Sequence, residues 1–185
     1  MNQLNITNII SDDKTFYSQN FEQDGINEIE FELCNFLKCN FSKCNLSGKQ
    51  FAECVFENCD FSGANLSGTA LKDAHFDQCK LLGVQFSECS AFLLQFSFEK
   101  CNLMYASFNK LKIKKTSFSN CKLEETDFAE SDLEGSVFAE CDLMGAIFER
   151  SNLVKVDFRT SSNFSFDPGN NRVKVARFSL DGLPG

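Results

Sequence analysis

The residues best equipped for chemistry in this chain are ten cysteines and a single histidine, His75. Thiolates and imidazoles bind metals, and a thiol beside a base makes a nucleophile, so their spacing is the first test. Consecutive cysteines stand five residues apart, as at Cys34, Cys39 and Cys44. That is the spacing of a running repeat, not of a zinc module's ligand pairs. Free cysteine packs as a small hydrophobe, and a cytoplasmic protein keeps it reduced. The ten are therefore expected to be reduced, metal-free packing residues. No serine or cysteine nucleophile can be matched to His75. The sequence also has no glycine loop shaped to cradle phosphate and no carboxylate pair poised for catalysis. The expectation is a protein that is not an enzyme, with no cofactor and no metal.

Charge narrows the partners. Net charge is −8, from 26 acidic and 18 basic residues, which argues against a basic footprint for phosphates and so against direct nucleic-acid binding. Residues 1–90 carry 6 basic and 13 acidic residues (−7), leaving 12 and 13 (−1) for 91–185. Acidic residues crowd the start, from Asp12 and Asp13 to Glu32. The run from Lys110 to Lys115 is the basic exception. One rung of 20 residues later stand Glu130, Asp132 and Glu134, so Lys110, Lys112 and Lys114 are expected to form cross-rung ion pairs with them. Apolar runs such as 91–94 are far too short to span a membrane, and the N-terminus lacks the pattern of a secretory signal. A cytoplasmic location is expected.

The elements that must position these residues follow from one period. Large apolar residues recur every fifth position from Phe31 to Phe86, and again from Phe98 to Phe158. On a helix, steps of five rotate by about 140° and scatter round the barrel. On a flat strand an odd step alternates faces. The pattern works only if the chain bends once per pentapeptide and aims each central residue at a common axis.

Two other columns agree. The residue two before each centre lies on the same side of an extended segment, and it is small: Cys34, Cys39, Cys54, Ala74, Cys101, Thr126 and Ser151 are examples. Lys49 and Leu111 break this rule, which suggests a local bulge at each. Two residues after the centre the chain turns, and glycine recurs there, as at Gly48, Gly68 and Gly145. Four such bends close a square coil of 20 residues. Phe98, Phe118, Phe138 and Phe158 then form one core ladder, Phe108, Phe128 and Phe148 the opposite one, and Leu103, Leu123 and Leu143 a third.

Repeats such as Ala64-Asn65-Leu66-Ser67-Gly68 and Cys141-Asp142-Leu143-Met144-Gly145 resemble those of the pentapeptide-repeat proteins. The resemblance implies an all-β fold, a right-handed quadrilateral β-helix. Within that family the chain looks most like the Qnr and Qnr-like proteins, on the repeat over about 31–160 and on a tail. That tail comprises 167–172 (DPGNNR) and 178–183 (FSLDGL). The expected organisation is an N-terminal arm at 1–15, coils of a first register at 16–90 and a register break at 91–97. Coils of a second register at 98–162 and a cap and tail at 163–185 complete it. At about 4.8 Å per rung, about seven coils make a rod of about 34 Å, the length of about ten base pairs at 3.4 Å each. The resemblance implies a DNA mimic that binds a type II topoisomerase, gyrase or topoisomerase IV, and protects it from quinolones or peptide toxins. The alternative is a structural solenoid that serves as a scaffold for another protein partner.

Two places stand out as contact candidates. At the register break, Phe92, Leu93 and Leu94 supply more apolar residues than the coil has inward positions. Counting from Phe86, Cys89 and Ala91 should point inward. Phe92 and Leu93 then either tuck in as a plug, to which the sequence leans, or form an exposed apolar contact for a partner. At the other end, Phe164, Phe166, Val173, Val175 and Phe178 are expected to cap the coil. Phe178, Leu180 and Leu183 are the candidates for an end-to-end homodimer.

Overall fold

In the computed structural model, which describes residues 10–179, the chain winds as a four-sided β-solenoid. Its strands are short because the chain must turn at every fifth residue. They are β1 (Ile10–Asp12), β2 (Thr15–Tyr17), β3 (Glu30–Glu32), β4 (Asn35–Leu37), β5 (Gln50–Ala52), β6 (Val55–Glu57), β7 (Ala70–Lys72), β8 (Ala74–Asp77), β9 (Phe96–Glu99), β10 (Ser117–Ser119) and β11 (Val137–Ala139). All pairings are parallel. On the first face β1, β3, β5 and β7 stack in order, with Ser11, Phe31, Phe51 and Leu71 at their centres. On the second, a seven-stranded sheet runs from β2 to β11, through Phe16, Phe36, Phe56, Phe76, Phe98, Phe118 and Phe138. Single bridges extend that face to Asp157 and Arg177 and build the other two, for example Asn40 to Asp60 and Gln85 to Ser107.

The expected ladders fill the interior. Phe98, Phe108, Phe118, Phe128, Phe138 and Phe158 are buried, as are Phe148, Leu103, Leu123 and Leu143. Rings one rung apart stack nearly parallel, such as Phe118 on Phe138 at 4.8 Å and Phe108 on Phe128 at 5.1 Å. Rings on adjacent faces meet edge to face, as Phe128 and Phe138 do at 5.6 Å. Both are favoured arrangements of the aromatic quadrupole.

The small inward residues do more than fit. Most donate a hydrogen bond to the carbonyl at the centre of the rung below. Cys54 Sγ reaches Phe31 O, Thr126 Oγ1 reaches Leu103 O and Ser151 Oγ reaches Phe128 O, each 23 residues back. Lys49 obeys the same rule with a longer arm: its Nζ donates to Ile26 O at 3.0 Å, also 23 back, and to Glu28 O at 2.7 Å. The expected bulges at Lys49 and Leu111 are therefore corrected. Ala70 N and Asp132 N bond the carbonyls of Lys49 and Leu111 in unbroken register, and Leu111 is a buried core residue.

The polar residue before each centre also has a local task. Asn40 Oδ1 accepts the Ser42 amide at 2.9 Å and Asp127 Oδ1 the Ala129 amide at 2.8 Å, which pins the turn. The corner position has positive φ in nearly every repeat, whether or not it is glycine. At Gly145 a Cβ would meet Glu125 Cγ at 3.1 Å on the rung below, so a larger residue there, besides taking a positive φ, requires that side chain to shift.

Both ends depart from the expected boundaries. The coil begins before residue 15, since Ile10–Asp12 already pairs with Glu30–Glu32 and Ser11 is buried at the centre of that rung. The expected cap is a loop followed by a resumed rung. Asp167 turns the loop by accepting the Gly169 amide at 2.7 Å, and Asn171 Oδ1 ties it to Ser151 N at 2.8 Å. Arg172 and Arg177 then rejoin the ladder opposite Asn152 and Asp157. Phe164 is buried, and Phe166, Val173 and Phe178 pack on the core. Val175 is corrected: it takes a corner with φ 61 and is exposed. Leu180 and Leu183 lie outside the described residues.

Candidate functional site at the register break

The break is confined to the first face. On the second, Phe76 stacks on Phe98 at 5.3 Å with register intact, and on the fourth Phe86 stacks on Phe108 at 4.8 Å. On the first face β7 is an edge strand, and the ladder resumes only at Lys112, paired with Asp132. Between them Ser90 N still bonds Thr69 O and Gln95 N bonds Leu71 O. The residues between those two anchors leave the coil.

This corrects the plug reading. Phe92 is 70% exposed, Leu93 63%, and Ala91, expected inward, is exposed too. Cys89 is buried as expected, and Leu94 is half-buried against the core. The plug is Phe96, 4% exposed, in the column where Cys34, Cys54, Ala74 and Thr116 stand on other rungs. Its ring lies 5.1 Å from Phe98, 5.5 Å from Phe86 and 5.8 Å from Phe108, so it fills the space of the absent first-face centre. The preceding residue pattern gave one signal for this: Phe96 is the only large residue among the inward positions two before a second-face centre from Phe36 to Phe138.

Beside the loop, the missing rung leaves a groove of about 480 Å³ lined by Leu94, Phe96, Lys112, Lys114 and Lys115 among others. Of the three ion pairs expected above it, Lys114 to Glu134 forms and the other two do not. Lys114 bonds both Glu134 at 2.9 Å and Asp132 at 3.2 Å, taking the partner expected for Lys112. Glu130 pairs with Arg150 at 2.9 Å in place of Lys110. The Lys114 ammonium holds the Glu134 carboxyl below its ordinary value. Lys112 and Lys115 make no ion pair among the described residues.

The other chemistry-bearing groups are placed as follows. All ten cysteines are buried and free. Six of them, Cys39, Cys59, Cys79, Cys101, Cys121 and Cys141, stack in one column behind the third face. Burial pushes the Cys44 thiol up to about 11 and Cys54 and Cys89 to about 12. Eight of the ten thiols donate to backbone carbonyls, as Cys54 Sγ does to Phe31 O at 3.5 Å and Cys79 Sγ to Phe56 O at 3.2 Å. No group of three or more metal-ligating side chains gathers among the described residues. His75 faces outward on β8 and its Nδ1 lies 2.8 Å from Ser97 Oγ one rung on, a pair that sequence separation concealed. No carboxylate is hydrogen-bonded to that histidine among the described residues. No helix among them is long and apolar enough to cross a membrane.

Acidic side chains form their own columns. Glu57, Asp77 and Glu99 stand in register on three successive rungs of the second face. Glu30 and Glu32 flank Phe31 on the first.

Comparison with known proteins bears on the whole coil. A search of curated protein sequences gives no match. Among solved structures the chain is similar to full-length QnrB1, described as a plasmid-mediated fluoroquinolone resistance protein. That match has 18% identity and a TM-score of 0.50, and covers 93% of this chain and 94% of that one. It is equally similar in fold to HetL, a pentapeptide repeat protein involved in heterocyst differentiation regulation from the cyanobacterium Nostoc sp. strain PCC 7120. There the identity is 16% and the TM-score 0.50, with 95% of this chain and 89% of that one covered. The family model for the pentapeptide repeat region matches residues 29–97, 49–119 and 111–166, nearly all of the regular coil. The five-residue ladder, the buried centres and these matches agree: the chain belongs to the pentapeptide-repeat family.

Proposed function

We propose that this protein works by binding and not by catalysis, as a rod that occupies the DNA-binding surface of a type II topoisomerase, gyrase or topoisomerase IV. In doing so it protects the enzyme from quinolones or peptide toxins. The observation that carries the reading is the in-register stacking of carboxylates on a stiff rod, with Glu57, Asp77 and Glu99 on successive rungs. Rungs repeat at about 4.8 Å, so a partner built to grip a line of phosphates meets a comparable line of negative charge. The fluoroquinolone resistance role of QnrB1, a protein of the same fold, makes the topoisomerase the partner to test first. The exposed pair Phe92 and Leu93 supplies an apolar contact beside the charged columns, with half-buried Leu94 as its base. The site of action we infer is the cytoplasm, where the topoisomerases and their DNA are found.

A gyrase supercoiling assay with and without ciprofloxacin tests this. Added protein should restore supercoiling to the drug-inhibited enzyme, and Phe92→Ser with Leu93→Ser should weaken the rescue. No rescue at a large molar excess would refute the topoisomerase reading. One observation favours a second reading, a scaffold for a different protein partner. Beyond the break the first face carries Lys112, Lys115, Lys155, Arg172 and Lys174, which DNA does not resemble.

A further inference from the structure

The first face is divided at its middle. Four rungs, centred on Ser11, Phe31, Phe51 and Leu71, lie below the break. Four more, at Lys112, Asp132, Asn152 and Arg172, lie above it. The outermost lower rungs expose or half-expose Asp12, Asp13, Glu30 and Glu32. The outermost upper rungs expose Lys155, Arg172 and Lys174. At the midpoint stand the exposed Phe92 and Leu93, with the groove floored by Leu94 and Phe96 beside them.

We propose that this face binds a second copy of the same chain, side by side and antiparallel, about a twofold axis that runs along the rungs at the level of the break. Such an axis exchanges lower and upper rungs. Asp12 then faces Lys174 of the partner subunit, Asp73 faces Lys115 of the partner subunit, and Glu30 and Glu32 lie near Lys155 of the partner subunit. Lys72 opposes Lys114 of the partner subunit, whose charge Asp132 and Glu134 already offset. A parallel arrangement would instead set acidic rungs on acidic rungs. The axis also brings the two apolar loops together and presents each Phe92–Leu93 tip to the other copy's groove. An apolar centre within a charged rim is the common anatomy of an interface, and self-complementarity is what a twofold contact requires. Eight steps of about 4.8 Å by about 10 Å of strand width give roughly 380 Å² per copy from the face itself. That sits below the usual 800 Å² per partner, so the dimer should be weak, forming at about micromolar concentration or above, and salt-sensitive. The proposal does not depend on a topoisomerase partner, though it would place self-association in competition with any partner that uses Phe92.

Sedimentation equilibrium of the full chain tests it at about 0.05 M and about 0.5 M salt. A monomer–dimer equilibrium weakened about tenfold at the higher salt is expected. So is loss of the dimer in Phe92→Ser with Leu93→Ser, the circular dichroism melt being unchanged. Reversal of Lys155, Arg172 and Lys174 to glutamate should weaken it at least tenfold. Leu93→Cys, beside the axis, should give a covalent dimer on mild oxidation, and Val137→Cys on the second face should not. A monomer at hundreds of micromolar in low salt would overturn the proposal. So would a dimer that survives the loop variant, or cross-linking no better from Leu93→Cys than from Val137→Cys.

Discussion

Phe96 and not Phe92 closes the core at the register break, and the difference can be measured. Phe96→Ala keeps the residue type found at the same column one rung below, Ala74, so the backbone tolerates the change and the cost is lost packing. The ring is 4% exposed and meets three other rings within 5.8 Å. Buried phenylalanine truncations cost about 3–5 kcal/mol, depending on how far the site collapses. Here the adjoining groove admits water to the vacated space, which removes part of the cavity penalty and sets the expectation at the low end, about 3 kcal/mol. With a urea m-value of about 2 kcal/mol/M, the unfolding midpoint should fall by about 1.5 M at unchanged m. Phe92→Ser with Leu93→Ser, both surface residues, should stay within about 0.5 kcal/mol. Urea unfolding followed by far-ultraviolet circular dichroism compares the two directly. A loss below 1 kcal/mol for Phe96→Ala, or above 2 kcal/mol for the loop pair, would refute this assignment of the plug.

Phe128→Ala, in mid-stack between Phe108 and Phe148, should cost about 3–5 kcal/mol in the same assay, while Phe16→Ala, half-buried near the coil's first rungs, should cost about half as much. Thr126→Val retains shape but removes the donor to Leu103 O, for a loss of about 0.5–1.5 kcal/mol. Mass spectrometry should find ten alkylatable thiols only after denaturation, since all ten are buried; stoichiometric zinc or a disulfide mass deficit would contradict the packing role. Glu134 and Asp157 are held below their ordinary values of 4.5 and 3.8 by Lys114 and Arg159. The folded state therefore binds fewer protons than the unfolded one, and this stabilisation is present above those values and lost as pH falls through the depressed ones. Melting temperature should drop from pH 5 to pH 3, and less so in Lys114→Met.

The periodicity made the core legible because it is a packing constraint repeated many times. Each centre and each small inward residue could be named from the five-residue step, and the structure buries them there. Two kinds of feature stayed hidden. Alternation shows which side a residue takes but not what its polar atom does, so the donor role shared by Cys54, Thr126 and Ser151 looked like size alone. Lys49, which makes the same bond with an ammonium group, looked like a defect. The break was hidden for another reason. Two residues in excess can leave the path anywhere between Ser90 and Phe96, and Phe92, Leu93, Leu94 and Phe96 all offer apolar side chains. Which one is buried is settled by register on the second face, where Phe96 must pair with Ala74 so that Phe98 can stack on Phe76. A one-face count from Phe86 does not contain that condition.

That same condition explains why a binding feature can arise at a fault in the repeat. Elsewhere a position's residue type is fixed by the rungs above and below, since each rung touches only its neighbours. A substitution that serves a partner would then compete with the ladder. At the break the competition disappears. The second and fourth faces carry the register across, by Phe76 to Phe98 and Gln85 to Ser107, and Phe96 supplies the missing bulk from inside. Nothing in the core depends on Phe92 or Leu93, whose side chains are free to be chosen for contact. The energetic penalty of the fault is limited to one interrupted ladder on one face, and in exchange that face gains a protruding apolar tip, a groove and a boundary between unlike charges. The other three faces have no such boundary marked by a lost rung, so a partner that reads the first face can find both its position along the rod and its direction.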